Sequence, residues 1–319
     1  MKPVDFDYEQ AKSVDEAITL LTQSADALIL AGGQTLGPML NLRLVQPELL
    51  VDITRIDELV RVEASTTHVT IGACVSHAAV EDRRIADLGH DFLARVAGGI
   101  GYRAVRNRGT LGGSVANADP AADWVSCFAA LDAEILVSGQ SGQRIVKIDD
   151  FLVGAMETTI GTGELINGIR MPRLGASVRC GYAKISRKPG EFADAIAAIV
   201  HDPDRGCCRV VVGATDGLPL LLDNDALGLG PAVALPAVLD PGPVRDHLAW
   251  HMPVPDLYRL NVQCAVLQRA LADARPGRFV IEVAIVPVPR VFQHAFVGRI
   301  VAAMAHGSCP VSGPVVVSG

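Results

Sequence analysis

A run of five apolar residues, 27–31, ends directly in two glycines, and this junction limits the possible folds more than any other short stretch. The run has the length of a buried strand and is followed by Gly32, Gly33, Gln34 and Thr35. Because glycine has no Cβ, the backbone N–H groups at such a strand end can turn together toward an anion, most often a phosphate. A plain tight turn is the alternative, and this segment alone does not decide between the two.

A second glycine pair in similar surroundings favours the anion site. The motif TLGGS contains Thr110, Gly112, Gly113 and Ser114, and we expect it to form a glycine-rich loop. Two anion-binding loops suit a diphosphate better than a single phosphate. Asp123 follows closely, and its carboxylate suits the donors of a ribose or an adenine, although capping of the next helix explains this residue equally well.

Other motifs fail in their context. Residues 99–104 match G-x-G-x-x-A, but no predicted strand precedes them, so a Rossmann dinucleotide site is not expected. Residues 112–116 resemble a nucleophile elbow without the strand that presents its serine. Cys74 and His77 are zinc-ligand candidates only as an isolated pair, and core packing is the better explanation. We therefore expect no metal site and no catalytic nucleophile.

Charge and composition exclude several functional classes. The formal net charge is −7, which does not favour binding to a nucleic-acid backbone. No apolar run approaches the roughly 20 residues that cross a bilayer, and the first ten residues are acidic where a signal peptide is apolar. The seven cysteines include no Cys-x-x-Cys pair. These features predict a cytoplasmic protein without a membrane span.

The 319 residues divide into four parts. Residues 1–57 predict a small α/β lobe, whose first helix begins at a capping box formed by Ser13 and Glu16. Residues 58–175 predict a second lobe, and residues 176–275 predict a smaller α+β unit with a loop at 227–243. Residues 276–319 have no clear periodicity and stay unassigned. The predicted strands are 27–31, 49–53, 68–71, 134–137, 145–148, 165–171, 181–186, 196–201 and 209–213, and the longer predicted helices are 121–131 and 257–274.

Five stretches between residues 1 and 275, taken together, resemble the FAD-binding medium subunit of the molybdenum hydroxylases, the family that includes carbon monoxide dehydrogenase and xanthine dehydrogenase. They are AGGQTLGPMLNLRLVQPELLVDITRI, IGACVSHAAVE, VRNRGTLGGSVANADPAAD, FLVGAMETTIGTGELI and GYAKISRKPGEFA. Gln34-Thr35 stands where the family often has His-Ser or Gln-Ser. The resemblance implies an α+β fold, with a two-lobed FAD-binding domain of the molybdenum hydroxylase/vanillyl-alcohol oxidase type followed by a small α+β C-terminal domain.

The same resemblance implies roles for individual residues. The two glycine segments would hold the FAD diphosphate between the lobes, and Thr110 would support the second of them. Asp123 would face the ribose or adenine end, Ile166 would pack near the flavin, and Tyr182 and Lys184 would approach the isoalloxazine. A cation at Lys184 would stabilise the reduced flavin, and we expect this side chain to tune the flavin without contributing to fold stability. The residues implied at the diphosphate are Ala31, Gly32, Gly33, Gln34, Thr35, Leu36, Gly112, Gly113 and Ser114.

The function implied by the resemblance is electron transfer. In the family, a large subunit carries the molybdenum cofactor, a small subunit carries two [2Fe-2S] clusters, and FAD on the medium subunit receives the electrons. A dimer of heterotrimers is the expected assembly. Two alternatives stay open: a stand-alone FAD-dependent oxidase or reductase, and a non-catalytic FAD-binding assembly module. The sequence does not indicate the organic substrate or the final electron acceptor.

Overall fold

The computed structural model describes residues 2–85, 91–252 and 256–275. The unassigned tail, residues 276–319, lies outside these ranges. The first helix, α1 (Val14–Gln23), begins at Ser13, whose Oγ accepts a hydrogen bond from the Glu16 N–H at 3.1 Å. Glu16 closes the start of the helix in return, because its Oε2 accepts the Lys12 N–H at 2.7 Å. The predicted capping of this helix is confirmed.

The first sheet has three parallel strands in the order β1-β3-β2. They are β1 (Asp7–Gln10), β2 (Ala27–Leu30) and β3 (Leu49–Asp52). The sequence did not predict β1, because DYEQ has no apolar alternation and its residues are mostly exposed. The short helix α2 (Leu36–Asn41) follows β2 and packs Leu36 and Leu40 against this sheet.

The second sheet has five antiparallel strands in the order β4-β5-β10-β6-β7. It is entered through a 3-10 helix at Asp57–Val60. The strands are β4 (Val62–Ala64), β5 (His68–Gly72), β6 (Glu134–Gly139), β7 (Gly142–Lys147) and β10 (Leu165–Pro172), and a separate small hairpin joins β8 (Leu152–Gly154) and β9 (Glu157–Thr158). Its helices are α3 (His77–Glu81), α4 (Phe92–Gly98), α5 (Arg103–Arg106), α6 (Leu111–Asn117), α7 (Asp123–Ala130) and α8 (Ile148–Phe151).

The third sheet is antiparallel, in the order β11-β12-β13-β14. Its elements are β11 (Arg179–Ile185), β12 (Ala195–Asp202), β13 (Cys207–Gly213), β14 (Leu220–Leu221), α9 (Pro241–Trp250) and α10 (Leu257–Asp273). Helix α9 begins inside the stretch 227–243, so the predicted loop was wrong at its end. The start signal is local, because Asp240 caps the helix by accepting the Gly242 N–H at 2.9 Å, with Pro241 in the first turn.

Strand β12 connects the two large parts of the core. All eight of its residues are buried. Ala198 and Val200 belong to the core that surrounds Trp124, whereas Ala197 and Ile199 face the core beneath α9 and α10. Both faces of the strand are therefore covered, which explains why its sequence is a nearly continuous apolar run. No helix in the described part of the chain is both long and apolar enough to cross a bilayer.

Candidate cofactor-binding site

The first glycine segment, residues 31–36, carries backbone N–H groups without protein partners. Strand β2 ends at Leu30, whose carbonyl accepts the Ile53 N–H at 3.1 Å, and the chain then turns through Gly33 with φ of 70°. Within the described residues, the backbone N–H groups of residues 32–35 donate no hydrogen bond. The Thr35 hydroxyl also has no protein partner there, although Thr35 stands at the N-terminus of α2. Unpaired N–H groups in a partly buried turn are suited to an anion.

Gly32 allows the first segment to touch the second glycine segment, residues 109–114. A Cβ placed on Gly32 would lie 2.3 Å from the Arg108 carbonyl oxygen and 2.8 Å from the Gly109 Cα. Real carbon atoms do not approach so closely, so only glycine permits this contact. The two segments that the sequence paired are therefore adjacent in the structure.

The second glycine segment differs from the prediction, because it is mostly helix. Helix α6 starts at Leu111, and Thr110 caps it through its Oγ1, which accepts the Gly113 N–H at 3.1 Å. The neighbouring N–H groups are also occupied. Leu111 donates to the Val75 carbonyl at 3.0 Å, Gly112 to the Ala73 carbonyl at 2.8 Å, and Ser114 to the Thr110 carbonyl at 3.1 Å. The expected second loop of free N–H groups was wrong, because the segment uses them to build a helix and to bond to the connection between β5 and α3.

Ala31, Gly112, Gly113 and Ile166 meet at one recess between the first and second sheets. Gly112 lies close to the wall, because a Cβ on it would stand 2.4 Å from the Ala73 Cβ. Ile166 is 4% exposed and contributes an apolar side. The recess is lined by Ile29, Ala31, Ile53, Ala73, Gly112, Gly113, Leu165 and Ile166.

Asp123, Tyr182 and Lys184 form one buried cluster. Lys184 Nζ donates to Asp123 Oδ1 at 2.9 Å, and the Tyr182 hydroxyl donates to the same oxygen. The side chains of Lys184 and Asp123 are 7% and 8% exposed. Burial raises the pKa of the Tyr182 hydroxyl well above its usual value, and the charge of Asp123 raises it further, so Tyr182 stays a neutral donor.

This cluster bears on two expectations. Asp123 was expected at the ribose or adenine end of FAD, and Lys184 at the isoalloxazine, which is the opposite end. The sequence did not predict that these two side chains contact each other directly, and the contact favours placing both at one end of the cofactor. Lys184 was also expected not to contribute to fold stability, but its removal would leave the buried carboxylate of Asp123 without its counter-charge.

Two contacts near the site escaped sequence reasoning. His77 Nδ1 accepts the Trp124 indole N–H at 3.0 Å, and burial lowers the pKa of His77 to about 4, with the nearby charge of Arg106 adding to the effect. Arg95 and Asp273 form a buried ion pair across 178 residues of sequence. No sequence signal reports a partner at such separation. The hydrogen bond between His77 and Trp124 also has no sequence signal, because these two residues meet only in the folded chain.

Comparison with known proteins adds the family. Residues 4–174 match the FAD binding domain in molybdopterin dehydrogenase. The chain is 34% identical over 290 residues to the 6-hydroxypseudooxynicotine dehydrogenase complex subunit alpha of Paenarthrobacter nicotinovorans, a match that covers 86% of this chain and 96% of that protein. It is 33% identical over 304 residues to the carbon monoxide dehydrogenase medium chain of Afipia carboxidovorans, covering 86% and 98%.

A solved structure agrees in fold. The carbon monoxide dehydrogenase of Hydrogenophaga pseudoflava that lacks the Mo-pyranopterin moiety superposes with a TM-score of 0.77 at 33% identity, covering 86% of this chain and 98% of that one. The fold is therefore that of a molybdenum hydroxylase medium chain. The chain belongs to the family of FAD-binding domains of the molybdopterin dehydrogenases, and the predicted family and α+β fold class are confirmed.

Proposed function

We propose that this chain is the FAD-carrying electron-transfer subunit of a multi-subunit, molybdenum-dependent hydroxylase or dehydrogenase. It takes electrons from [2Fe-2S] clusters and passes them to an external acceptor. The row of unpaired N–H groups at residues 32–35, inside a segment that matches the FAD-binding family, is the observation that carries this proposal. Bound FAD would couple one-electron transfer to two-electron transfer.

The residues of the first segment are suited to the diphosphate. The N–H groups of Gly32, Gly33, Gln34 and Thr35 would donate to phosphate oxygens, and the Thr35 hydroxyl would add a side-chain donor. The Gln34 amide is already turned inward, since its Nε2 donates to the Gly32 carbonyl at 3.0 Å and so stiffens the turn. Ala31 and Leu36, both buried, anchor the two ends of the segment.

The opposite wall has a different task. Thr110, Gly112 and Gly113 hold α6 close to β5 and keep side-chain atoms out of the recess. The Ser114 hydroxyl makes no hydrogen bond within the described residues, and we assign it a contact to the cofactor. Ile166 supplies apolar surface on the same side.

Tyr182 and Lys184 lie on β11, in the third part of the chain, and we assign them to the flavin ring. The Lys184 charge is balanced by Asp123 at 2.9 Å, so the pair presents a dipole to the cofactor instead of a free positive charge. We therefore expect its influence on the reduced flavin to be smaller than that of an unpaired lysine. Asp123 acts by positioning Tyr182 and Lys184, and it is not assigned to the ribose.

The partners follow from the relatives, which are named as the subunit alpha of one dehydrogenase complex and as medium chains of carbon monoxide dehydrogenase. We propose a small subunit with two [2Fe-2S] clusters and a large subunit with the molybdenum cofactor, assembled as a dimer of heterotrimers. The unit 1–57 contains the first sheet, the unit 58–175 contains the second sheet and the β8–β9 hairpin, and the unit 176–275 contains the third sheet. A cytoplasmic location agrees with six free thiols among the described residues, and no nucleic acid takes part.

Two measurements test the proposal. First, the cofactor of the purified chain is released by heat and weighed by mass spectrometry, with FAD as the expected result; FMN, or no cofactor, contradicts it. Second, the protein is purified from its native host and its metals are counted. Molybdenum and iron in the complex, with no turnover of heterocycles or aldehydes by the isolated chain, support the subunit. Turnover by the isolated, metal-free chain establishes the stand-alone flavoenzyme instead, and FAD that no donor reduces in the complex establishes the assembly module.

A further inference from the structure

A buried ion pair between distant parts of the chain contacts the backbone of Tyr182. Asp273 is the last residue of α10, and its side chain is 3% exposed. Its Oδ1 and Oδ2 accept hydrogen bonds from Arg95 Nη1 at 2.8 and 2.7 Å. Arg95 belongs to α4, inside the stretch that matches the FAD-binding family. The pair therefore joins α10 to the FAD-binding part.

The same two side chains hold the backbone of β11. Asp273 Oδ2 accepts the Tyr182 N–H at 2.9 Å, and Arg95 Nη2 donates to the Cys180 carbonyl at 3.3 Å. Between these residues, Gly181 lets the strand approach α10, because a Cβ on it would lie 1.9 Å from the Ala270 carbonyl oxygen. Three consecutive residues of β11 are thus fixed at the strand position that carries Tyr182 into the cluster with Asp123.

Stability alone is a poor reason for such a pair. Burying two charges costs free energy that their attraction only partly offsets, and apolar residues of similar volume often stabilise a protein as well or better. A buried ion pair with several directional hydrogen bonds does, however, specify one relative position of the elements that it joins. In this molecule the specified element is the strand segment that carries Tyr182 and Lys184.

We infer that Arg95 and Asp273 are positioning residues of the flavin site, which clamp β11 against α4 so that Tyr182 and Lys184 reach their place beside the cofactor. This inference rests on the proposed function. The clamp acts through the two side chains on β11, so its loss has the same direction of effect as the loss of Lys184.

A second ion pair serves as the control. Arg209 in β13 donates through Nη2 to Asp149 Oδ2 in α8 at 2.5 Å and through Nε to the Ala129 carbonyl at 2.8 Å. It also joins the third sheet to the FAD-binding part, and the Arg209 side chain is 15% exposed, as is that of Arg95. It makes no hydrogen bond to β11 within the described residues.

The test uses the assembled complex with Arg95→Met, Asp273→Asn, Lys184→Ala and Asp149→Asn variants, together with Asp273→Asn combined with Lys184→Ala. The readouts are flavin content, the FAD dissociation constant, the flavin midpoint potential and the melting temperature. Asp273→Asn keeps an acceptor for the Tyr182 N–H, so it is the variant that retains the fold if Arg95→Met does not.

We expect Arg95→Met and Asp273→Asn to weaken FAD binding about tenfold, an ordinary size for coupling between two sites. Both should move the flavin potential in the direction of Lys184→Ala, and the double variant should show less than the sum of its parts. Asp149→Asn should change only the melting temperature. Unchanged potentials, additive effects, or equal shifts in Asp149→Asn overturn the inference. Absence of FAD from the wild-type complex contradicts the proposed function itself and is seen before any variant is compared.

Discussion

The two glycine segments have nearly the same composition and opposite hydrogen-bonding states. In residues 32–35 the backbone N–H groups have no partner in the described part of the chain, and the Thr35 hydroxyl is also unpaired. In residues 111–114 every N–H group bonds to the protein, and the Thr110 hydroxyl caps the helix. The first segment is thus prepared to bind an anion, whereas the second is a rigid wall against which the first is placed. Paired glycines indicate that another group packs closely against the backbone. The hydrogen bonds of their N–H groups show whether those groups are free to bind a ligand or are used within the protein.

The contact between the segments is the most sensitive point of this comparison. Gly32→Ala should destabilise the fold by about 3 kcal/mol and abolish FAD retention, because the new Cβ would overlap the Arg108 carbonyl oxygen at 2.3 Å. Thermal melting and the flavin spectrum of the purified variant check this. Gly37→Ala is the control, since a Cβ on Gly37 in α2 meets nothing within 4 Å and alanine favours a helix. A stable, flavin-loaded Gly32→Ala protein would show that the two segments do not touch.

The free energy of unfolding should depend on pH through His77, which contacts the second segment. The backbone N–H of His77 donates to the Gly109 carbonyl at 2.9 Å. Burial lowers the pKa of the His77 imidazole to about 4, so this side chain is neutral in the folded protein at pH 7. The unfolded chain binds a proton below about pH 6.5 and the folded chain only below about pH 4, so this contribution is complete above pH 6.5 and is lost as the pH falls between these values.

The loss should reach about 3 kcal/mol, since each unit of pKa difference corresponds to about 1.4 kcal/mol. The His77→Asn variant should lack this part of the pH dependence in denaturant unfolding measured from pH 7 to pH 4. His68→Gln, at an exposed position, should keep it. Equal slopes in wild type and His77→Asn would mean that folding does not lower the pKa of His77.

Two glycines with positive φ allow the cost of backbone strain to be measured separately from the loss of FAD binding. Gly33 and Gly206 both have positive φ, 70° and 62°, and Gly206 lies in a distant turn. Alanine at either position should cost about 1–2 kcal/mol, the usual penalty for an L-residue in the left-handed region. Only Gly33→Ala should also weaken FAD binding, which a titration with FAD measures. If both variants bind FAD like the wild type, the turn at Gly33 does not present its N–H groups to the cofactor.

The two segments also illustrate which features of this fold can be predicted from the sequence. Helix α1 and the strands with apolar runs were predictable, because local capping and periodicity decide them. The free loop assigned to residues 109–114 was wrong, since the partners of its N–H groups, Val75 and Ala73, come from a strand end far back in the chain. Residue types indicate that a group can donate, but not which acceptor lies nearby in the fold.

The same limit applied to the charged residues. Lys184 and Asp123 were both predicted at the site, yet their mutual contact at 2.9 Å was not, and neither was the pair of Arg95 with Asp273. Ion pairs between residues so far apart depend on how the third sheet packs on the FAD-binding part. Strand β1 was missed for a related reason, because an exposed polar strand is defined by its pairing with β3.

Hydrogen exchange of the backbone amides tests the central claim most directly. The purified chain is stripped of FAD, and exchange is followed at residues 32–35 and 111–114 with and without added FAD. We expect the amides of residues 32–35 to exchange fast in the stripped protein and to become protected when FAD binds, because FAD supplies the acceptors that these amides lack among the described residues. The amides of residues 111–114 should be protected in both states. Protection of residues 32–35 without FAD, or FAD-dependent protection of residues 111–114 as large as that of residues 32–35, would contradict the distinction between the two segments.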